Sequence, residues 1–92
     1  MMSFDEARNK GLMRCTDMLG YDFCVAHSDN SVSSYGENEG IMSCFVGISD
    51  KPVPADKKII LTSGNDWDYW ASCKIDMLDG NVIDEKCVSP AQ

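Results

Sequence analysis

The chain is short of basic residues, with 8 Lys and Arg against 15 Asp and Glu and a formal net charge of −7 over 92 residues. Nucleic-acid backbones are bound mainly by Lys and Arg, so we expect no direct binding to duplex DNA. The sequence also lacks an apolar run long enough to span a bilayer and a basic, then apolar, N-terminal segment typical of a secretory signal. These absences predict a cytoplasmic protein without a membrane partner.

A C-x-x-C pair is missing as well, although the chain has five cysteines: Cys15, Cys24, Cys44, Cys73 and Cys87. The odd count and the lack of a signal sequence predict reduced thiols. Cys24, Cys44 and Cys73 fall in apolar, strand-like segments, where a thiol packs as a small hydrophobic side chain. Burial is therefore the expected role of the thiols, and a reactive or metal-binding role is the alternative.

Residues for catalysis or metal binding are sparse. His27 is the single histidine, and no nucleophile-elbow motif surrounds it or its possible partners Asp29 and Cys24. Cysteine and histidine are too scattered for a zinc site. Four aspartates suggest calcium but lack the EF-hand spacing: Asp66, Asp68, Asp76 and Asp79. We therefore expect no enzyme activity, no metal and no cofactor.

The N-terminal segment carries the clearest helix signal. Ser3 and Glu6 form an S-x-x-E capping box, in which each side chain can accept the other's backbone N–H. Gly20 suits the position just past a helix end, because it adopts positive φ readily. Between these signals, apolar residues recur at intervals compatible with one helical face: Phe4, Ala7, Leu12, Cys15, Met18 and Leu19.

The middle of the chain predicts strands joined by short turns. Residues 21–28 are rich in aromatic and apolar side chains and predict a first strand, followed by a short strand over residues 31–35. The polar cluster at residues 37–40 predicts a turn. Ile41–Ile48 is apolar on both faces, which is typical of a central strand, and residues 49–58 form a proline-containing loop.

The last third predicts a strand at residues 59–62 and then a long one at residues 67–77. In the long segment every second residue is apolar: Trp67, Tyr69, Ala71, Cys73, Ile75 and Met77. The pair Asp79-Gly80 predicts a hairpin turn, and Val82–Val88 the closing strand. A two-residue loop would place Met77 opposite Val82, but it would also place the apolar Ile75 opposite Asp84. A β-bulge near the turn would correct this mismatch.

These elements predict an α+β fold in one domain, residues 1–92, with one N-terminal helix packed on an antiparallel sheet of four to six strands. A single helix covers one sheet face and leaves the other open. Trp70 interrupts the polar side of the long strand, so we expect it on the open face, and Phe45 is a second candidate for that face.

An exposed aromatic among carboxylates is the best candidate for a partner-binding site, because interface hot spots favour Trp and complementary charge speeds association. The residues assigned to this site are Asp66, Asp68, Trp70, Asp76, Asp79, Glu37 and Glu39. In the structural alternative the charge serves solubility, Trp67 and Tyr69 fill the core, and a loop covers Trp70.

In size, acidity and the combination of one helix with a small sheet, the chain resembles the small phage-encoded anti-CRISPR inhibitors. That resemblance implies a non-enzymatic inhibitor in the host-cell cytoplasm. Its acidic surface would bind a basic protein or ribonucleoprotein complex that handles nucleic acid, and block access of DNA or RNA. The alternative is an immunity or regulatory domain that plugs a toxin or enzyme active site. The final hairpin is also similar to the closing hairpin of PepSY-like domains, at Ile75-Asp76, Asp79-Gly80 and Val82.

Overall fold

The N-terminal helix covers one face of a small antiparallel sheet. The structure is a computed structural model, and it describes residues 1–58 and 66–90. The described elements are α1 Phe4–Leu19, α2 Tyr21–Ala26, a 3-10 turn Ser28–Asn30, β1 Ser31–Asn38, β2 Ile41–Ile48, α3 Ala55–Lys58, β3 Tyr69–Asp76 and β4 Val82–Val88. The strands lie in the order β1-β2-β3-β4, and each pairs antiparallel with its neighbour. The predicted α+β architecture, a helix on an antiparallel sheet, is confirmed.

Helix α1 begins and ends as predicted. The Ser3 hydroxyl accepts the Glu6 N–H, and the Glu6 carboxylate accepts the Ser3 N–H, both over 3.1 Å. Gly20 has a φ of 101°, and its N–H donates to the carbonyl of Thr16 at 2.9 Å. One stripe of the helix is buried at intervals of four residues: Ala7, Gly11, Cys15 and Leu19.

The strand predicted at residues 21–28 is wrong, because α2 and the 3-10 turn occupy this segment. The half-buried side chains are Phe23, Cys24 and His27, a spacing that suits a helix and not a strand. The rings of Phe23 and His27, four residues apart, lie 4.3 Å from each other. Gly20 redirects the chain between the two helices, so α2 packs against α1 instead of entering the sheet.

The first hairpin is longer than predicted. The strand expected at residues 31–35 extends to Asn38, and the turn is reduced to Glu39 and Gly40. Both residues have positive φ, 52° and 80°, which is the backbone of the tight turns that match the twist of antiparallel strands. Ile41–Ile48 forms a central strand with the predicted bounds.

In the second half of the chain, the predicted elements agree with the structure only in part. The strand predicted at residues 59–62 lies outside the described residues, and the loop predicted at 49–58 contains the short helix α3. The long strand is shorter than predicted, because β3 begins at Tyr69 and ends at Asp76. Strand β4 has the predicted bounds.

The predicted bulge is confirmed. Lys74 lies opposite Asp84, and the next residue, Ile75, lies opposite Val82, so Ile83 is the extra residue. The turn between β3 and β4 has five residues instead of two, and the Asp76 N–H closes it on the carbonyl of Asn81 at 2.9 Å.

The core lies between α1 and the sheet. Apolar side chains from alternate positions of β2 and β3 meet the buried stripe of α1: Met42, Cys44, Val46, Ile48, Ala71, Cys73 and Ile75. No helix among the described residues has both the length and the hydrophobicity needed to cross a bilayer.

Candidate functional site

The sheet face opposite α1 is defined by the register of the four strands. Residues facing α1 are nearly all buried in β2 and β3, and the alternate residues form what we call the open face. The open face is built from four strands and carries Val32, Ser34, Gly36, Asn38, Ile41, Ser43, Phe45, Gly47, Trp70, Ser72, Lys74, Asp76, Asp84, Lys86 and Val88.

Phe45 and Trp70 form the aromatic centre of the open face, as predicted for both residues. Trp70 lies opposite Gly47, so Phe45 is its diagonal neighbour on β2. The two rings are stacked, with centroids 6.3 Å apart and planes inclined by 20°, and both side chains are half-buried. A shallow groove beside Phe45 is lined mostly by small residues from three strands, including Ser34, Gly36, Ser43 and Ser72.

Trp67 is buried as predicted, but its ring lies against Gly47 on the open-face side of the sheet and not beside Tyr69 under α1. A Cβ added to Gly47 would lie 2.5 Å from Cγ of Trp67, and that Cβ would point away from α1. Trp67 is 6% exposed but does not belong to the core cluster beneath α1. It precedes the first residue of β3, so the alternation of the strand does not determine its side. Tyr69 faces the helices as predicted and meets Phe23 edge to face, with centroids 5.3 Å apart.

Four of the predicted site residues come together at one end of the sheet. The two hairpin turns lie side by side there, because the Met77 N–H donates to the carbonyl of Gly40 at 2.9 Å. The acidic side chains at this end are Glu37, Glu39, Asp76 and Asp79. Asp76 is on the open face, opposite Ile41, whereas Glu37 is opposite the buried Met42 and therefore on the α1 side. Asp76 and Asp79 also shape their own turn, since each accepts the backbone N–H two residues further on at 2.9 Å.

The other predicted site residues lie at the opposite end of β3. Asp68 holds the segment after β2, since its carboxylate accepts the Asp50 N–H at 2.8 Å and the Ser49 hydroxyl at 3.3 Å. Asp66 and Asp68 are both exposed and precede Trp70 in the chain. The seven predicted residues therefore form two acidic ends with an aromatic pair between them, instead of one continuous patch.

The described basic side chains are spread over the molecule, and Lys10 lies at the hairpin-turn end itself. Arg8 pairs with Asp5, and Arg14 pairs with Glu85 through two bonds of 2.8 and 3.0 Å, both on the helix side of the sheet. The Arg14 guanidinium lowers the pKa of the Glu85 carboxyl, mainly through these hydrogen bonds. Lys10 donates to the carbonyl of Gly80.

Two further lysines lie on the open face, where Lys74 opposes Asp84 and Lys86 opposes Ser72. The centre of the open face therefore carries both signs of charge.

Three thiols converge beneath α1, an arrangement that the sequence did not reveal. Cys44 and Cys73 lie directly opposite each other in β2 and β3, and Cys15 lies above them on α1. The Cys73 thiol donates to the carbonyl of Gly11 at 3.2 Å. Hydrogen bonding with Cys73, together with burial, raises the pKa of the Cys15 and Cys44 thiols. The same contacts lower the pKa of Cys73 relative to its two neighbours.

These thiols and the single histidine have structural contacts. Within residues 1–58 and 66–90, no group of three or more His, Cys, Asp or Glu side chains is arranged to hold a metal ion. His27 ends α2, where Nδ1 lies 3.0 Å from the carbonyl oxygen of Phe23. Cys24 donates to the carbonyl of Thr16 at 3.8 Å. The four aspartates considered for calcium are split between the two ends of β3.

Comparison of the chain with protein-family models, with curated proteins and with solved structures gave no match.

Proposed function

We propose that this chain is a non-enzymatic protein-binding domain whose open face docks on a positively charged macromolecule. The observation that carries the proposal is the stacked pair of Phe45 and Trp70 on the sheet face opposite α1. A partly buried Trp supported from beneath by a sheet and from the side by a second ring is pre-organised, so little side-chain entropy is lost on binding. Such aromatic anchors commonly carry most of the binding energy of an interface.

The charge of the chain supports a basic partner. The net charge is −7, and acidic side chains lie at both ends of β3, on either side of the aromatic pair. An apolar centre with a charged rim is the usual organisation of a protein interface. The rim would raise the association rate with a basic surface and disfavour acidic ones, while the aromatic pair would set the lifetime of the complex.

The more specific hypothesis is inhibition of a nucleic-acid-handling protein or ribonucleoprotein, in the manner of anti-CRISPR proteins. A basic groove built to hold phosphates presents the charge that this chain complements. Occupation of that groove would exclude DNA or RNA by competition, without any chemical step by the chain itself.

The test is capture from a bacterial lysate by three immobilised proteins: the wild type, Trp70→Ala and Tyr21→Ala. Tyr21 is the matched control, an aromatic that is 66% exposed on α2 and outside the sheet. The wild type and Tyr21→Ala should capture the same partner, and Trp70→Ala should bind it at least about tenfold more weakly. Equal capture by the Trp70→Ala protein would contradict the proposal.

The captured partner then tests the inhibitor hypothesis. Binding should weaken as salt is raised into the range that screens surface charges, and added nucleic acid should compete with the chain. A partner that binds equally at low and high salt would contradict the role of charge. A captured toxin or enzyme that binds no nucleic acid would favour the immunity or regulatory alternative.

A further inference from the structure

Strand β4 presents an edge that no described residue pairs with. It is the last strand in the order β1-β2-β3-β4, and six of its seven residues are exposed. Its exposed residues include branched apolar ones, with Ile83 at 52% and Val88 at 44%. A shallow groove beside β4 is lined by Arg14 of α1 and by residues 82–85. An exposed edge with apolar side chains is a template for pairing with a further strand.

The sequence of β4 is complementary to itself when two copies run antiparallel. We propose that two copies of this chain pair through β4 about a two-fold axis at Glu85, giving one continuous eight-stranded sheet. In this register Asp84 lies opposite Lys86 of the second copy, and Ile83 lies opposite Cys87 of the second copy. Between Ile83, where the bulge interrupts the alternation, and Cys87, the opposed residues on either side of the axis have opposite charge or are both apolar, the two kinds of cross-strand pair that stabilise antiparallel sheets.

The two-fold axis also brings two Glu85 side chains together, and the structure already compensates this charge. Each Glu85 carboxylate is held by two hydrogen bonds from Arg14 of its own chain. The axis would then be surrounded by two carboxylates and two guanidinium groups, so the local net charge is zero. An axis perpendicular to the sheet preserves its faces, so both copies of α1 would lie on the same side.

Other registers are less favourable. Opposed residues in an antiparallel pair lie on the same face, so the axis must pass through a residue rather than between two. An axis at Lys86 would oppose Asp84 to Val88, and an axis at Asp84 would bring together two aspartates that lack the arginine. Only the axis at Glu85 opposes Asp84 to Lys86.

The other edge of the sheet does not have this property. The single charged residue in β1 is Glu37, and Gly36 beside it has no side chain to pack. Charged residues on an edge strand usually prevent pairing with unrelated sheets. In β4 the positions of Asp84 and Lys86 are symmetric about Glu85. These charges therefore disfavour pairing with the edge strand of an unrelated protein but favour pairing with a second copy of this chain.

Charge reversal gives a direct test of the register. In Lys86→Asp, two aspartates would face each other in each half of the interface, and in Asp84→Lys, two lysines would do so. Each variant alone should therefore be monomeric under conditions in which the wild type is a dimer. An equimolar mixture of the two variants should form a heterodimer, because every Asp then opposes a Lys. The measurement is analytical ultracentrifugation over a dilution series, with a mass tag on one variant.

Lys51→Asp is the matched control for Lys86→Asp, since Lys51 is exposed and lies outside the sheet. It makes the same change in net charge and should leave the dimer intact. Thermal unfolding of each variant must show a folded chain, because Asp84 also opposes Lys74 within the molecule. A monomeric wild type at all concentrations, a dimeric Lys86→Asp protein, or a mixture that stays monomeric would each overturn the proposal.

Discussion

The indole of Trp67 lies directly against the backbone of Gly47, so that a Cβ at position 47 would be 2.5 Å from Cγ of the ring. Substitution of Gly47→Ala should therefore displace Trp67 and destabilise the fold by about 1–3 kcal/mol, as overpacking of a close contact usually does. The free energy of unfolding, measured by urea denaturation, checks this expectation.

The matched control for Gly47→Ala is Gly36→Ala, on the same face of the sheet. A Cβ at position 36 would meet no atom within 4 Å. Alanine should be neutral or stabilising there by up to about 1 kcal/mol, because glycine in a strand has more conformational entropy to lose. Equal destabilisation by the two substitutions would show that Trp67 does not depend on the absence of a side chain at position 47.

Gly11 lets α1 approach the sheet closely above the thiol cluster. Alanine in place of glycine within a helix normally stabilises by about 1 kcal/mol, but a Cβ here would lie 2.3 Å from the Cys44 sulfur. Gly11→Ala should therefore destabilise by about 1–3 kcal/mol. The loss should be smaller when Cys44→Ala is already present, since the clashing sulfur is gone. Urea denaturation of the four proteins gives the coupling energy, and a coupling of zero would contradict the predicted clash.

The capping box at the start of α1 should make stability depend on pH. The Ser3 N–H donates to the Glu6 carboxylate and lowers the pKa of Glu6 below its ordinary 4.5. A carboxyl with a lowered folded-state pKa contributes stability above the unfolded-state pKa, and that contribution is lost as pH falls through the folded-state value. The wild type should therefore lose this part of its stability below about pH 4.5.

Glu6→Gln keeps a side-chain acceptor for the Ser3 N–H but removes the titration. The variant should show a flatter dependence of the unfolding midpoint on pH in the acid range. Ser3→Ala, which removes the other half of the box, should cost about 1 kcal/mol at neutral pH. Identical pH profiles for the wild type and Glu6→Gln would contradict the role assigned to Glu6.

The five cysteines should divide into two classes by reactivity. Cys15, Cys44 and Cys73 are at most 3% exposed, whereas Cys24 and Cys87 are half-buried. Burial raises the pKa of Cys24 and Cys87, so even these two thiols should be labelled slowly at neutral pH. The three buried thiols should react at least about tenfold more slowly than these two, because the alkylating reagent reaches them only when the chain opens.

Mass spectrometry of the native protein during alkylation gives the number of labelled cysteines directly. Two labels should be added before any third, and all five should be added together in denaturant. A Cys24→Ser/Cys87→Ser protein should show no early label. Early modification of a thiol in the cluster would contradict its protected position beneath α1.

Local signals in the sequence determine much of this fold. The capping box of Ser3 and Glu6 and the glycine at position 20 fix both ends of α1 within the chain itself. The mismatch of Ile75 with Asp84 across a short turn indicated a β-bulge before the register was known, and the structure has a bulge there. These features depend on contacts between near neighbours or on strict alternation, and the sequence shows both.

Features that depend on the tertiary context were not predictable in the same way. The segment of α2 has the aromatic and apolar composition of a strand, and its helical form depends on packing of Phe23 against Tyr69 and of Cys24 against α1. The ring of Trp67 lies on the open-face side of the sheet because Gly47, twenty residues earlier, has no side chain to occupy that position.

The candidate site shows the same division. The placement of Trp70 on the face opposite α1 followed from alternation along one strand. The grouping of Glu37 and Glu39 with Asp76 and Asp79 depends on the pairing of β2 with β3, which joins the two hairpin turns. Residues so far apart in the chain are brought together only by the register of that pair.

The positions of the two tryptophans have an optical consequence. Trp67 is buried against Gly47, while Trp70 is only partly buried beside Phe45. A dissolved quencher such as acrylamide should therefore reach Trp70 before Trp67. Comparison of Trp67→Phe with Trp70→Phe would assign the accessible and the protected emission to one indole each, without any attached dye.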